Sequence, residues 1–117
     1  FKAHPAYTLA KFSMSVWVLG MHEEFRKQGI AFNALWPRTV IATSAVKNLL
    51  GGDAMMKASR KPEIIAEAAH RILRKPSREC TGNFFVDEDF LREEGVTDFD
   101  QWAVTPGVPL APDFFVD

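Results

Sequence analysis

The sequence is poor in cysteine, in blocks of charge of one sign and in long apolar runs, and each of these features excludes a class of protein. Cys80 is the single cysteine, which excludes a disulfide framework or a cysteine-based zinc site within the chain and fits a reducing compartment. Net charge is −1, and charges of one sign form no block, so we expect no nucleic-acid partner. No run of about eighteen apolar residues occurs, so no membrane span is expected.

Metal-binding residues are also sparse. His22 and Glu23 are neighbours in sequence and would face different directions on a helix, so we expect no metal site there. The remaining composition, 47% hydrophobic and 25% charged residues among 117, is ordinary for a globular domain. The chain starts at Phe1 rather than Met, which suggests a fragment, a processed chain or an incompletely sequenced one.

A long helix is predicted over residues 5–28. Pro5 suits a first helical turn and Gly29 suits the C-terminal stop. Its apolar residues cover much of the circumference, which predicts burial on two sides, against a sheet and against a partner helix or subunit. Trp17 and Met21 could equally line a dimer seam or an intramolecular core.

The rest of the chain alternates helices with short apolar strands. Strands are predicted over 30–36 and 82–87, and a clear helix from 61 to 75 with Ile64, Ala68 and Leu73 in its apolar stripe. A weaker helical piece is expected over 44–50. This order favours an α/β sheet with crossover connections, although two strands alone do not make a stable parallel sheet. We therefore expect residues 1–117 to be a portion of one larger domain, with an irregular tail from about 95 to 117.

The single tyrosine, Tyr7, precedes Lys11 by four residues, which places both on one helical face. A nearby ammonium group favours phenolate and lowers a tyrosine pKa from about 10, so such a pair can exchange a proton with a carbonyl or an alcohol. The spacing alone also fits a surface lysine beside a helical tyrosine.

The context of the pair favours the acid–base interpretation. A buried strand ends in Asn-Ala-Leu-Trp-Pro at 33–37, a loop with Thr39 and Thr43 follows it, and a later strand starts at Gly82-Asn83. This arrangement resembles the C-terminal half of a short-chain dehydrogenase/reductase. The resemblance is stronger to the branch of hydroxysteroid dehydrogenase-like protein 2, through Tyr-Thr-Leu-Ala-Lys at the pair and Pro-Asp-Phe-Phe in the tail.

The resemblance implies the C-terminal part of a Rossmann-type, doubly wound parallel sheet, incomplete as a stand-alone domain. It implies that Tyr7 transfers a proton, that Lys11 lowers its pKa and binds the nicotinamide ribose, and that the cofactor is NAD or NADP. The residues expected around the cofactor, besides the pair, are in the loop after the first strand: Pro37, Arg38, Thr39 and Thr43. It also implies an intracellular protein, mitochondrial or peroxisomal by analogy with the branch and otherwise cytoplasmic.

Two departures from the family pattern are visible. Arg38 stands where the family usually has glycine, and the later threonine falls one residue late. The glycine-rich turn and the catalytic serine and asparagine have no counterpart here and are expected upstream of Phe1. The missing N-terminal part of the domain is therefore an expected partner, and the chain alone is expected to be inactive and to bind no dinucleotide.

The expected reaction interconverts an alcohol and a ketone. Apolar residues that could belong to the pocket wall or to the core weakly favour a lipophilic, steroid- or fatty-acyl-like substrate: Leu49, Leu50, Met55 and Met56. A homo-oligomer through the 5–28 helix is also expected. The alternative is a non-catalytic dehydrogenase-like subunit or interaction module in a larger assembly.

Overall fold

A computed structural model of the chain describes residues 4–115, with the exception of the Leu50 side chain. Residues 1–3 and 116–117 lie outside the described residues. The helices are α1 (Pro5–Glu24), α2 (Gly52–Lys57), α3 (Glu63–Leu73) and α4 (Asp87–Glu93). The strands are β1 (Ala34–Trp36) and β2 (Phe84–Val86), which pair with each other. Short 3₁₀ turns at Arg26–Gln28 and Asp100–Trp102 and a π-helical turn at Val46–Leu50 complete the regular structure.

The chain divides into two compact units. The first consists of Phe1–Ala34 and Ile72–Phe85, and the second of Leu35–Arg71 and Val86–Asp117. Each is described below by itself.

In the first unit, the two chain segments that lead into β1 and β2 run parallel. The Gly82 amide donates to the Phe32 carbonyl at 2.7 Å, and the Ala34 amide donates to the Asn83 carbonyl at 2.8 Å. The predicted α/β fold with parallel strands is therefore confirmed. β1 is shorter than the predicted 30–36, because the Phe32 amide bonds the Thr81 hydroxyl at 3.0 Å instead of a main-chain carbonyl.

α1 confirms the predicted long helix but ends at Glu24, and a 3₁₀ turn leads to Gly29. Gly29 has φ of 75°, a left-handed conformation that suits glycine. The predicted burial on two sides is not seen among the described residues. Val18 is buried, whereas Leu9 and Trp17 are 73% and 66% exposed.

The core of the second unit forms around α3, α4 and the segment after them. Ile64 and Ala68, one helical turn apart, are fully buried, as the predicted stripe requires. Leu73 is exposed, so its place in that stripe was wrong. The segment predicted as an irregular tail contains a 3₁₀ turn, in which Trp102 is buried.

Candidate active site

Tyr7 and Lys11 lie on one face of α1, in the first unit. The Lys11 Nζ is 5.6 Å from the centroid of the Tyr7 ring, within the range of a cation–π contact. Pro5 occupies the first helical turn, and the Thr8 amide donates to the His4 carbonyl at 2.9 Å, so the turn that carries Tyr7 is well formed. The pair can thus act as one unit at an exposed position, since Tyr7 is 44% exposed.

The loop after β1 belongs to the second unit, and Arg38 connects it to α4. The Arg38 amide donates to Oδ1 of Asp87 at 2.8 Å, and its guanidinium group forms an ion pair with Asp89. The Arg38 carbonyl accepts a hydrogen bond from the Asp113 amide at 3.1 Å. The main-chain polar groups and the side chain of Arg38 therefore all have partners within this unit.

The two predicted threonines have different surroundings. Thr39 is buried, pairs with Pro112 in an antiparallel bridge, and its hydroxyl has no hydrogen-bond partner among the described residues. Thr43 is exposed, and its hydroxyl accepts a long hydrogen bond of 3.4 Å from the Val46 amide at the start of a helical turn. Of these two threonines, only Thr43 therefore has a side chain that is accessible to a ligand.

Asp87 was missed by the sequence reasoning. Its side chain is fully buried, and Oδ1 accepts hydrogen bonds from the amides of Arg38 and Glu88 at 2.8 and 2.7 Å. Burial raises the pKa of Asp87, although these hydrogen bonds and the charge of Arg60 oppose the increase. Oδ2 has no hydrogen-bond partner among the described residues. The available signal was its position directly after a strand, where the helix α4 begins.

A second charged cluster surrounds Glu88. Burial by itself would raise the pKa of Glu88, but hydrogen bonds and charges from Arg92 and Arg60 outweigh it and hold that pKa below its usual value. The guanidinium carbons of Arg60 and Arg92 lie 5.4 and 4.5 Å from the centroid of the Phe99 ring. Phe99 also contacts Trp102 edge-on, with centroids 5.7 Å apart. This cluster secures the segment after α4 within the second unit.

An amide pair connects the parallel segments of the first unit. Asn33 Oδ1 accepts hydrogen bonds from the amide and the side-chain nitrogen of Asn83, at 3.1 and 2.9 Å. Asn33 Nδ2 donates to the Cys80 carbonyl at 3.0 Å. The sequence places Asn33 and Asn83 in or beside the two predicted strands but does not predict that they contact each other.

Between residues 4 and 115, no three side chains of His, Cys, Asp or Glu gather into a potential metal site. Within the same range, no helix has the length and apolar character needed to cross a membrane.

Comparison with known proteins identifies the relatives of this chain. Hydroxysteroid dehydrogenase-like protein 2 is 56% identical in Rattus norvegicus and in Danio rerio, and 54% identical in Homo sapiens, over all 117 residues. The chain covers 22%, 28% and 27% of these three proteins, so it spans about a quarter of the curated relatives it matches. No protein-family model matches the chain.

Solved structures agree with this relationship. A short chain dehydrogenase of Mycobacterium thermoresistibile matches 95% of the chain with a TM-score of 0.83 and 52% identity. The chain matches part of a short-chain dehydrogenase. A proposed dehydrogenase from Xanthomonas campestris gives a TM-score of 0.86 and 48% identity over the same share. The chain covers 39% and 40% of these two dehydrogenase chains, which confirms the predicted resemblance and a partial Rossmann-like fold.

Proposed function

We propose that the chain contributes the proton-transfer pair of an NAD(P)-dependent enzyme that interconverts an alcohol and a ketone. The observation that carries the proposal is the contact between Lys11 and Tyr7 on one face of α1. The similarity to short-chain dehydrogenases supports the same reaction class.

In the proposed mechanism, the Tyr7 phenol donates its proton to the carbonyl oxygen during reduction and becomes phenolate, and during oxidation the Tyr7 phenolate accepts the proton of the alcohol and becomes phenol. The Lys11 ammonium stabilises the negative charge that develops on the phenol oxygen and binds the ribose of the cofactor. The nicotinamide supplies or accepts the hydride when it is bound. The exposure of Tyr7 leaves its side chain accessible to a substrate.

The loop after β1 fits a cofactor in part. Thr43 has an exposed side chain that could bind the cofactor directly. Thr39 is buried, and the amide and carbonyl of Arg38 are already hydrogen-bonded, so Pro37, Arg38 and Thr39 would shape the loop rather than bind through those groups.

A lipophilic substrate, steroid- or fatty-acyl-like, is the proposed class. Leu49 is 81% exposed, and Met55 and Met56 are half-buried, so apolar side chains are available near the loop in sequence. Leu50 is expected to belong to the same apolar group, but its side chain lies outside the described residues.

A second candidate function is a non-catalytic, dehydrogenase-like interaction module. The exposed apolar side chains of α1 favour it, with Val16, Trp17 and Leu19 all more than half exposed. Such a surface is typical of a protein–protein contact, including a homo-oligomer through α1.

The discriminating experiment uses a complete dehydrogenase domain that includes this chain. Oxidation of a panel of steroid and fatty-acyl alcohols with NAD or NADP would be followed by nicotinamide absorbance. Tyr7→Phe should reduce turnover by about 10²- to 10⁴-fold, the usual contribution of general acid–base catalysis, and leave cofactor affinity nearly unchanged. Lys11→Met should reduce both, whereas the matched control Lys47→Met, at an exposed lysine, should change neither.

Unchanged turnover in Tyr7→Phe would remove the enzyme proposal and leave the interaction module. The isolated chain of 117 residues is expected to bind no dinucleotide and to be inactive. Tight binding of NAD to the isolated chain would contradict that expectation.

A further inference from the structure

The loop after β1 is attached to the start of α4 through Arg38, which makes one contact with its main chain and another with its side chain. The Arg38 amide bonds Oδ1 of the fully buried Asp87 at 2.8 Å, and the Arg38 guanidinium group pairs with the half-exposed Asp89. Both acids come from the first turn of α4. One helix terminus thus holds the main chain and the side chain of the same loop residue.

We propose that Asp87 and Asp89 are positioning residues that hold the candidate cofactor loop in its binding conformation, an inference that rests on the proposed function. Asp87 fixes the path of the main chain at Arg38, and Asp89 fixes the arginine side chain. Neither acid needs to touch the cofactor, because both act through Arg38.

The backbone geometry explains why arginine can occupy this position. Within residues 4–115, every residue with a positive φ is a glycine, so Arg38 adopts a conformation that is open to any side chain. The glycine expected from the family pattern is therefore not required here for backbone reasons. Arginine at this position forms an ion pair with Asp89 of α4, which glycine could not form.

A loop held in advance loses less conformational entropy when a ligand binds. The chain holds this loop on its other side too, since the Val40 amide donates to the Ala111 carbonyl at 3.0 Å and the Asp113 amide donates to the Arg38 carbonyl. Loss of the Asp89 ion pair should therefore leave these main-chain hydrogen bonds in place but loosen the Arg38 side chain and, with it, the conformation of the loop. Loss of Asp87 should free the Arg38 amide itself.

The first test measures the dissociation constants of NADH and NADPH by fluorescence, in a complete dehydrogenase domain that includes this chain. Because Asp89 is half exposed, Asp89→Asn should weaken binding of the preferred nucleotide by about two- to fivefold. Asp53→Asn, at an exposed acid in the first turn of α2, is the matched control and should bind like the wild type. The charge-reversed pair Arg38→Asp with Asp89→Arg should recover most of the loss.

The outcomes separate this inference from the proposed function. A wild-type domain that binds neither nucleotide overturns both. If the wild type binds a nucleotide and Asp89→Asn binds it with equal affinity, the role of Asp89 alone is overturned. The same holds if Asp89→Asn loses affinity and the charge-reversed pair does not recover it.

The second test addresses Asp87 by amide hydrogen exchange and needs no nucleotide. Asp87→Ala should speed exchange at the Arg38 amide, while Asp87→Asn, which keeps an acceptor oxygen, should preserve protection. Exchange at Arg38 that is as slow in folded Asp87→Ala as in the wild type overturns the role of Asp87.

Discussion

The Arg38 amide donates to the Asp87 carboxylate across 49 residues of sequence, at 2.8 Å. The acceptor side chain is fully buried, and the same oxygen also accepts a hydrogen bond from the Glu88 amide. A buried carboxylate that serves two amides connects the loop after β1 to the start of α4. Its removal therefore affects two segments that are distant in sequence.

We predict that Asp87→Ala destabilises the fold much more than Asp87→Asn. Alanine leaves two amide donors without their acceptor, which typically costs about 1–3 kcal/mol for a buried group. Asparagine keeps one oxygen and carries no charge, so it avoids the burial of a carboxylate. Urea unfolding of the two variants and the wild type checks this, and an Asp87→Ala midpoint equal to that of Asp87→Asn would contradict it.

The pH dependence of stability should contain a contribution from Glu88. Because its folded pKa lies below the ordinary value, this carboxylate stabilises the fold above its unfolded pKa, near 4.3, and loses that contribution as pH falls through the lower folded pKa. Glu88→Gln should therefore unfold more easily than the wild type at neutral pH, with the difference shrinking on acidification. Denaturant titrations from pH 7 to pH 3 measure it. A difference that stays constant over this range would show that Glu88 acts without its charge.

Asp87 should contribute with the opposite sign. Its folded pKa is raised, so the folded state holds the proton more tightly, and the free energy of unfolding falls as pH rises from the unfolded pKa through the folded one. The comparison of Asp87→Asn with the wild type over the same titration isolates this effect. The asparagine variant should gain stability relative to the wild type as pH increases.

Truncation of Phe99 should strongly destabilise the second unit. It is 7% exposed and contacts Trp102 and two guanidinium groups. Phe99→Ala should lower the free energy of unfolding by about 3–5 kcal/mol, as for other buried phenylalanines. Phe114→Ala, at a position 54% exposed, is the matched control and should change it much less. Equal effects of the two substitutions would show that the cluster around Phe99 is unimportant.

Gly82→Ala should destabilise the first unit for two separable reasons. Gly82 has φ of 75°, and an added Cβ would lie 2.6 Å from Nδ1 of His22. Gly95→Ala shares the positive φ, but an added Cβ there meets no atom within 4 Å, so it measures the backbone strain alone. Gly82→Ala should have the lower thermal midpoint of the two. His22→Ala should partly restore Gly82→Ala, and no restoration would indicate strain alone.

The parts of the fold that local patterns control were predictable. Ile64 and Ala68 are one turn apart in α3, and Pro5 and Gly29 mark the limits of the first helical region, so neighbouring residues carry the signal. The facing of Tyr7 and Lys11 also follows from helical spacing alone. The fold family was predicted from short sequence motifs, because the periodicity of apolar residues alone does not identify a family.

The parts that were missed depend on contacts between distant residues. Asp87 with Arg38 and Asn33 with Asn83 are 49 and 50 residues apart, and no local pattern records such pairs. The burial of Trp102 in a segment predicted to be irregular has the same origin. The catalytic and cofactor roles of Tyr7, Lys11 and the loop residues stay predictions.

The single cysteine also makes the first unit accessible to a simple chemical measurement. Cys80 is 9% exposed, and its Sγ lies 3.8 Å from Nδ2 of Asn83, one member of the amide pair that joins the parallel segments. Because this sulfur is buried, a thiol reagent should label it faster when those segments separate, so the rate of labelling should report their opening. Because these 117 residues hold no second thiol, labelling within this stretch reports on Cys80 alone.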